Sequence, residues 1–297
     1  MSVHPRPQAK PEHTPSFDKK PDDRPTAVID LLGQAPLEDL HSFLDIGFGD
    51  GQLTEWLCRK GKSVTATGLQ IDSYSADIRR LRDEYGVRTE ECYAEKMPFP
   101  DKCFDAVVMS HVLEHCPNVQ LALQEVRRVM ADHGRLFVFV PPQSDRVAAG
   151  HISMGWNIGQ LMYVLLVNGF DVKNGSFLHA GYNVAAFVRK NLSPLPPLRG
   201  DRGDIATLNQ HNLFPLSIET ADGFNDGFCG AIESINWERR AKPGTTGGGR
   251  KVIKKLLISS VRLMPLRARV SLSERLESLV RILNYEAVDR KNPPVLR

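Results

Sequence analysis

Between residues 40 and 140 short, mostly apolar runs alternate with segments whose apolar residues recur at helical spacing. The runs Ser42–Ile46, Ser63–Gly68, Val87–Cys92, Phe104–Met109 and Arg135–Val140 predict strands. The intervening Gln52–Lys60, Ser75–Tyr85 and Val119–Met130 predict helices, and a short helix is expected earlier, at Thr26–Leu32. Apart from Val87–Cys92, which carries Arg88, Glu90 and Glu91, the runs are largely apolar, as parallel strands covered on both faces require. Strand and helix in strict succession imply βαβ units with right-handed crossovers. A further helix at Trp156–Asn168 leads into Phe170–Leu178 and Tyr182–Arg189, separated by a turn and expected to pair antiparallel at the sheet edge. The pattern therefore predicts an α/β fold: a doubly wound, mostly parallel seven-stranded sheet.

The flanks change character. Residues 1–25 are Pro-punctuated and polar, with no apolar core of a secretory signal, and read as a disordered tail. Residues 26–190 form the expected α/β domain. Residues 191–250 open on a Pro-rich run and close on Gly244–Gly249, and read as linker and irregular chain. Residues 251–297 form a basic extension in which Lys251–Leu263 and Ser271–Asn284 have helical apolar spacing. From Glu238 to Arg297 there are 15 Lys and Arg against 5 Asp and Glu. The whole chain sums to +3, so the remainder carries −7. A basic amphipathic tail on an acidic body suits packing on the core, a dimer contact, or peripheral binding of 251–284 to an anionic membrane surface. The tail lacks aromatics for base stacking, so nucleic acid is not an expected partner. No run approaches the ~20 apolar residues of a spanning helix. The five cysteines show no CxxC spacing and read as reduced thiols, which together imply a cytoplasmic setting, with peripheral contact at the inner membrane face as an option.

The densest chemical signal is Asp45-Ile-Gly47-Phe-Gly49-Asp-Gly51, where a buried strand ends in an acid and three alternating glycines lead into a helix. Glycines let the backbone approach a ligand, and amides at the helix start face its anionic groups. Dinucleotide loops use GxGxxG; the spacing here is GxGxG. An acid two residues before the first glycine suits a cationic ligand group such as an α-ammonium, and sits badly beside a pyrophosphate.

This loop resembles the D-x-G-x-G-x-G motif of class I S-adenosylmethionine-dependent methyltransferases. In register with it, Glu95-Lys-Met-Pro-Phe-Pro-Asp-Lys-Cys-Phe104-Asp105, running on to Leu113-Glu114-His115, is similar to that family's "AE-x-LPFPD-x-x-FD…LEH" block. Arg127 to Leu136 is similar to its "R-x-LKPGG-x-L" turn. The resemblance covers residues 40–140 and implies a Rossmann-like methyltransferase with S-adenosyl-L-methionine as cofactor. By it, Asp45, Gly47, Gly49 and Gly51 hold the methionine portion. Gln70 stands where the family has an acid for the ribose hydroxyls. Tyr93, Ala94 and Glu95 fall at the adenine position, and Ser110 lines the pocket. The acceptor it implies is a small molecule or glycan, as in surface polysaccharide assembly. A quinone or other lipid-soluble acceptor is an alternative, as is a non-catalytic binding scaffold.

His111-Val-Leu-Glu114-His115 also matches the HxxEH zinc pattern, in which two histidines share a helix face. Pro117 would end such a helix at once and no further ligand stands out, so no metal is expected. If the acceptor is a hydroxyl, a base must take its proton. His111, His115 and His151 are candidates because imidazole titrates near neutrality, and His111 and His151 are the favoured pair.

Overall fold

The computed structural model describes residues 24–69, 77–144, 147–148, 150–153, 155–218 and 227–237. Gln70, the N-terminal tail and the two helices expected within 251–284 lie outside the described residues.

Six α-helices and eight strands are described: α1 (Arg24–Leu32), β1 (Ser42–Ile46), α2 (Gln52–Arg59), β2 (Ser63–Gly68), α3 (Asp77–Tyr85), β3 (Arg88–Glu91), β4 (Phe104–Ser110), α4 (Val119–Val129), β5 (Met130–Val140), α5 (Ile158–Val167), β6 (Phe170–Ala180), β7 (Asn183–Lys190), α6 (Asp204–Gln210) and β8 (Ser234–Ile235). They build one sheet in the order β3-β2-β1-β4-β5-β7-β6-β8. The first five strands in that order pair in parallel, and β7, β6 and β8 pair antiparallel. The expected seven strands are thus joined by an eighth, two residues long, on the β6 edge.

Alternate side chains of the central strands enter two separate cores. Leu44, Val107 and Met109 point to the side covered by α4 and α5, beside Leu123, Val126 and Leu165. Phe43, Ala106 and Val108 point to the side covered by α1 and α2, beside Leu32, Leu53 and Leu57. Because both faces are dry, both sets must be apolar, which is why these strands read as unbroken runs. Asn118 and Asn157 cap α4 and α5 by accepting from the amides of Leu121 (3.0 Å) and Gln160 (2.8 Å).

From residue 191 the chain departs from the linker reading. Leu195, Leu198, Ile205, Leu208 and Phe214 pack into the core beneath α5, and α6 lies inside the stretch taken as irregular. Its apolar residues are spread among prolines and glycines, so no local period announced them.

The polar residues of the 95–128 block are largely structural. Asp105 accepts from the amides of His41 and Ser42 at 2.9 Å each, tying β4 to the start of β1. Burial alone would raise its carboxyl, but these amides prevail and hold it down at about 2. Arg128 donates to the carbonyls of Met97 (2.9 Å) and Phe99 (2.7 Å) and to Asp101 and Glu125 (2.8 Å each), clamping the irregular segment that precedes β4. Arg128→Ala is expected to lower unfolding stability by about 2 kcal/mol, measured by denaturant titration, because two carbonyls and two carboxylates lose a charged donor together.

Candidate functional site

The order β3-β2-β1-β4-β5 reverses direction between β1 and β4, where α/β sheets open a crevice at their carboxyl ends. The register aligns Ile46 with Thr67 and with Met109. Gly47, Gly68 and Ser110 therefore leave the sheet side by side. The site residues expected from sequence within the described chain, Asp45 to Gly51, Ala94, Glu95, Ser110 and His111, follow the ends of β1, β3 and β4. His151 joins them from the β5–α5 loop.

The glycine loop is shaped by backbone geometry. Gly47, Gly49 and Gly51 all have positive φ, at 70°, 56° and 83°. The Gly47 amide donates to the Thr67 carbonyl at 2.7 Å, binding the loop to the end of β2. A Cβ on Gly47 would come 2.5 Å from Cγ2 of Val112, so the chain leaving β4 closes directly on this turn. Over Gly49 a Cβ would meet nothing nearer than the Gly47 carbonyl oxygen at 4.0 Å.

Asp45, at the end of β1, is 1% exposed. Its Oδ2 accepts from the Thr54 hydroxyl of α2 at 2.6 Å, and Oδ1 has no partner. Burial pushes its carboxyl up to about 6, with the Thr54 bond opposing. Along the same edge Ala94 is buried and Tyr93 is 63% exposed. Glu95 Oε1 accepts weakly from the Asn118 amide at 3.4 Å.

His111 sits immediately beyond β4 with φ at 56°, a conformation that costs a non-glycine residue about 1–2 kcal/mol. Its ring is held from three sides. Nδ1 lies 3.2 Å from Glu114 Oε1, Nε2 lies 2.9 Å from Asn183 Oδ1, and Tyr182 stacks on it at 5.6 Å between centroids. Both nitrogens are engaged within the chain. Glu114 itself is fully buried, and its Oε2 has no partner. The helix required by the HxxEH pattern is absent here: only Leu113–His115 forms a single 3-10 turn, and His111 lies outside it. His115 turns instead to the β5–α5 loop, where Nδ1 lies 2.9 Å from the Gly150 carbonyl and the ring meets that of His151 edge-on at 4.9 Å.

Thr54, Glu114, Tyr182 and Asn183 complete this site beside the residues expected to hold the cofactor or act as bases. Asn183 is 72 residues from His111 in sequence, and only the β5–β7 pairing brings it there. The thiols contribute little: half-buried Cys58 and Cys92 are pushed up to about 11 and buried Cys116 to about 12, chiefly by desolvation.

The two glycines give contrasting stability outcomes. Gly49→Ala should cost about 1 kcal/mol, the strain of a side chain at positive φ in open space. Gly47→Ala should cost about 3 kcal/mol, because the clash with Val112 adds to that strain. Equal losses on chemical denaturation would contradict this geometry.

A family model described as a methyltransferase domain matches residues 44–138. Demethylmenaquinone methyltransferase of Tropheryma whipplei (strain Twist) is 34% identical over 113 residues, 38% of this chain and 45% of that protein. Ubiquinone/menaquinone biosynthesis C-methyltransferase UbiE of Paraburkholderia xenovorans is 34% identical over 112 residues, 36% of this chain and 46% of that one. The chain thus spans a little under half the length of these curated relatives. A solved structure of a SAM-dependent methyltransferase from Aquifex aeolicus aligns with a TM-score of 0.47 at 17% identity, over 57% of this chain and 93% of its own. Residues 44–138 of this chain, with the glycine loop at their start, are thus similar to a methyltransferase domain.

Proposed function

We propose that the chain is an S-adenosylmethionine-dependent methyltransferase acting on a small, ring-bearing apolar acceptor. The observation that carries the cofactor assignment is the unpartnered Oδ1 of a fully buried Asp45, beside a glycine turn with open space over Gly49. A buried carboxylate oxygen without a donor costs about 1–3 kcal/mol, and an α-ammonium group supplies that donor. Asp45 then takes the amino end of the cofactor, and the Gly47–Gly51 turn takes its carboxylate end. Ala94 and Glu95 border the adenine end, with Ser110 beside the methionine, and Gln70 belongs to the ribose in this reading. Bound there, the cofactor supplies an electrophilic methyl group on a sulfonium. The chain's part is to align an acceptor in line with it and exclude water.

The acceptor class follows from the rim. Among the described residues eight large apolar side chains are exposed, and Leu69, Tyr93, Val147, Ile152 and Tyr182 all lie at the carboxyl edge of the parallel strands. Such a concentration favours a flat apolar ring over a sugar. The two relatives are named as quinone-pathway methyltransferases, which agrees with a ring. The family model ends at residue 138, short of the β5–α5 loop, and the relatives match only 112–113 residues, so the acceptor reading rests on the rim. His111 and His151 flank the mouth of β4. His111, committed at both ring nitrogens, shapes the acceptor side, while His151 is the group left to meet an acceptor hydroxyl.

Calorimetric titration of the full chain with S-adenosylmethionine should give saturable binding that Gly49→Ala weakens at least tenfold. A wild type that does not bind would leave a scaffold and overturn the reading. Transfer of labelled methyl should be seen with demethylated quinols or phenols; label entering only sugar acceptors would reject the ring. His151→Ala should lower turnover at least tenfold while the cofactor Kd stays within twofold.

Asp45 gives the pH dependence its sign. A carboxyl raised from its ordinary value to about 6 favours the protonated folded state, so its contribution to stability is present in acid and lost as pH rises through 6. Cofactor binding needs the ionised form, so affinity should fall roughly tenfold per unit below pH 6. Asp45→Asn should be weak and flat between pH 5 and 7.

A further inference from the structure

The residues beyond β4 and the β5–α5 loop are laced together around Glu114. Its backbone carbonyl accepts from the amides of Ile152 (2.8 Å) and Ser153 (3.0 Å), which fixes the loop carrying His151 against it. One carboxylate oxygen of Glu114 and one ring nitrogen each of His115 and His151 lie within 4.8 Å of one another. Ligands around a tetrahedral zinc, at about 2.0–2.2 Å from the metal, stand about 3.4 Å apart. Side-chain rotation of little more than an ångström closes that difference.

Two further observations point to a cation. Glu114 is fully buried and its Oε2 has no donor, so one of its carboxylate oxygens is held in the protein without a hydrogen-bond partner. The tautomer of His115 is also set. A carbonyl can only accept, so Nδ1, 2.9 Å from the Gly150 oxygen, carries the hydrogen, and Nε2 of the neutral ring presents a lone pair. An imidazole donating its other N–H to a backbone carbonyl is the usual support of a metal-bound histidine. On the opposite side of Glu114, His111 Nδ1 at 3.2 Å from Oε1 orients the carboxylate.

We propose that Glu114, His115 and His151 form a site for a divalent first-row transition cation, with zinc its simplest occupant. Two imidazoles and one carboxylate suit zinc, cobalt or iron better than magnesium or calcium, which prefer all-oxygen sets. Three protein ligands leave a coordination position open, and the site lies at the mouth where the acceptor is placed. A cation there would lower the pKa of a bound hydroxyl and remove the need for His151 to act as a base. The expectation of no metal rested on Pro117 ending the HxxEH helix and on no further ligand standing out in the sequence. The structure replaces His111 of that pattern with His151, 40 positions away in sequence from the first histidine's neighbourhood and adjacent in space.

The test uses full-length chain freed of metal by chelator dialysis, and needs neither cofactor nor acceptor. Equilibrium dialysis against zinc, and cobalt titration followed by visible absorption, should show one equivalent per chain. His115→Ala and His151→Ala should each weaken binding at least tenfold, with the far-ultraviolet circular dichroism of the metal-free protein unchanged. Glu114→Gln should do the same; if it fails to fold, the two histidine variants decide. No binding by the wild type, or unchanged stoichiometry and affinity in the His115→Ala/His151→Ala double variant, overturns the proposal. Either failure leaves the methyltransferase reading standing, because cofactor binding is measured separately.

Discussion

Two carboxylates, Asp45 and Glu114, are carried into the dry interior at the carboxyl edge of the sheet, each with one oxygen satisfied and the other bare. Among the described residues these are the buried side-chain polar atoms left without a partner. A folded chain rarely keeps such groups, because each forfeits the hydrogen bonds water would give it. Asp45 lies at the end of β1 and Glu114 in the turn that follows neighbouring β4, where the sheet order reverses. A buried negative oxygen beside an opening is a demand for a positive group, and the two demands differ in kind. Asp45 sits under a glycine turn and suits an ammonium. Glu114 sits among histidines and suits a metal ion.

The fold makes these demands adjacent. Gly47 can pass close to β4 only because it has no Cβ, and Val112 occupies the space a side chain would need. That single close approach couples the turn after β1 to the segment carrying His111, Glu114 and His115. On the other side, the antiparallel return of β7 along β5 delivers Tyr182 and Asn183 to the His111 ring. His111 keeps its left-handed backbone because its ring is fixed by Glu114, three residues on, and by Tyr182 and Asn183 from a distant part of the chain. A strained residue held this way marks a place where position matters more than local comfort.

The rest of the molecule serves as support. Two cores lock the central strands from both faces, and Arg128 and Asp105 pin the irregular chain leading into β4. The acidic residues of the conspicuous 95–128 block are mostly spent on this bracing, with Glu114 the exception. The exposed apolar side chains gather along the same edge as the two carboxylates, so polar demand and apolar surface share one opening.

The amino-acid sequence by itself determined the layered α/β architecture, since strands buried on both faces must be apolar throughout and the helices between them must not be. It also determined the glycine turn, because only glycine tolerates that backbone at such spacing, and the position of Asp45 before it. It left α6 and the packing of residues 191–218 hidden, as these have no period and are held by contacts with distant strands. The grouping of Glu114 with His115 and His151, and of His111 with Asn183, was decided by tertiary structure alone. A motif on a helix can be read from its spacing, but a cluster assembled by a loop folding back on a strand end has no spacing to read. Here the left-handed turn at His111 broke the helix that HxxEH implies, and the amides of Ile152 and Ser153 brought a different histidine into its place.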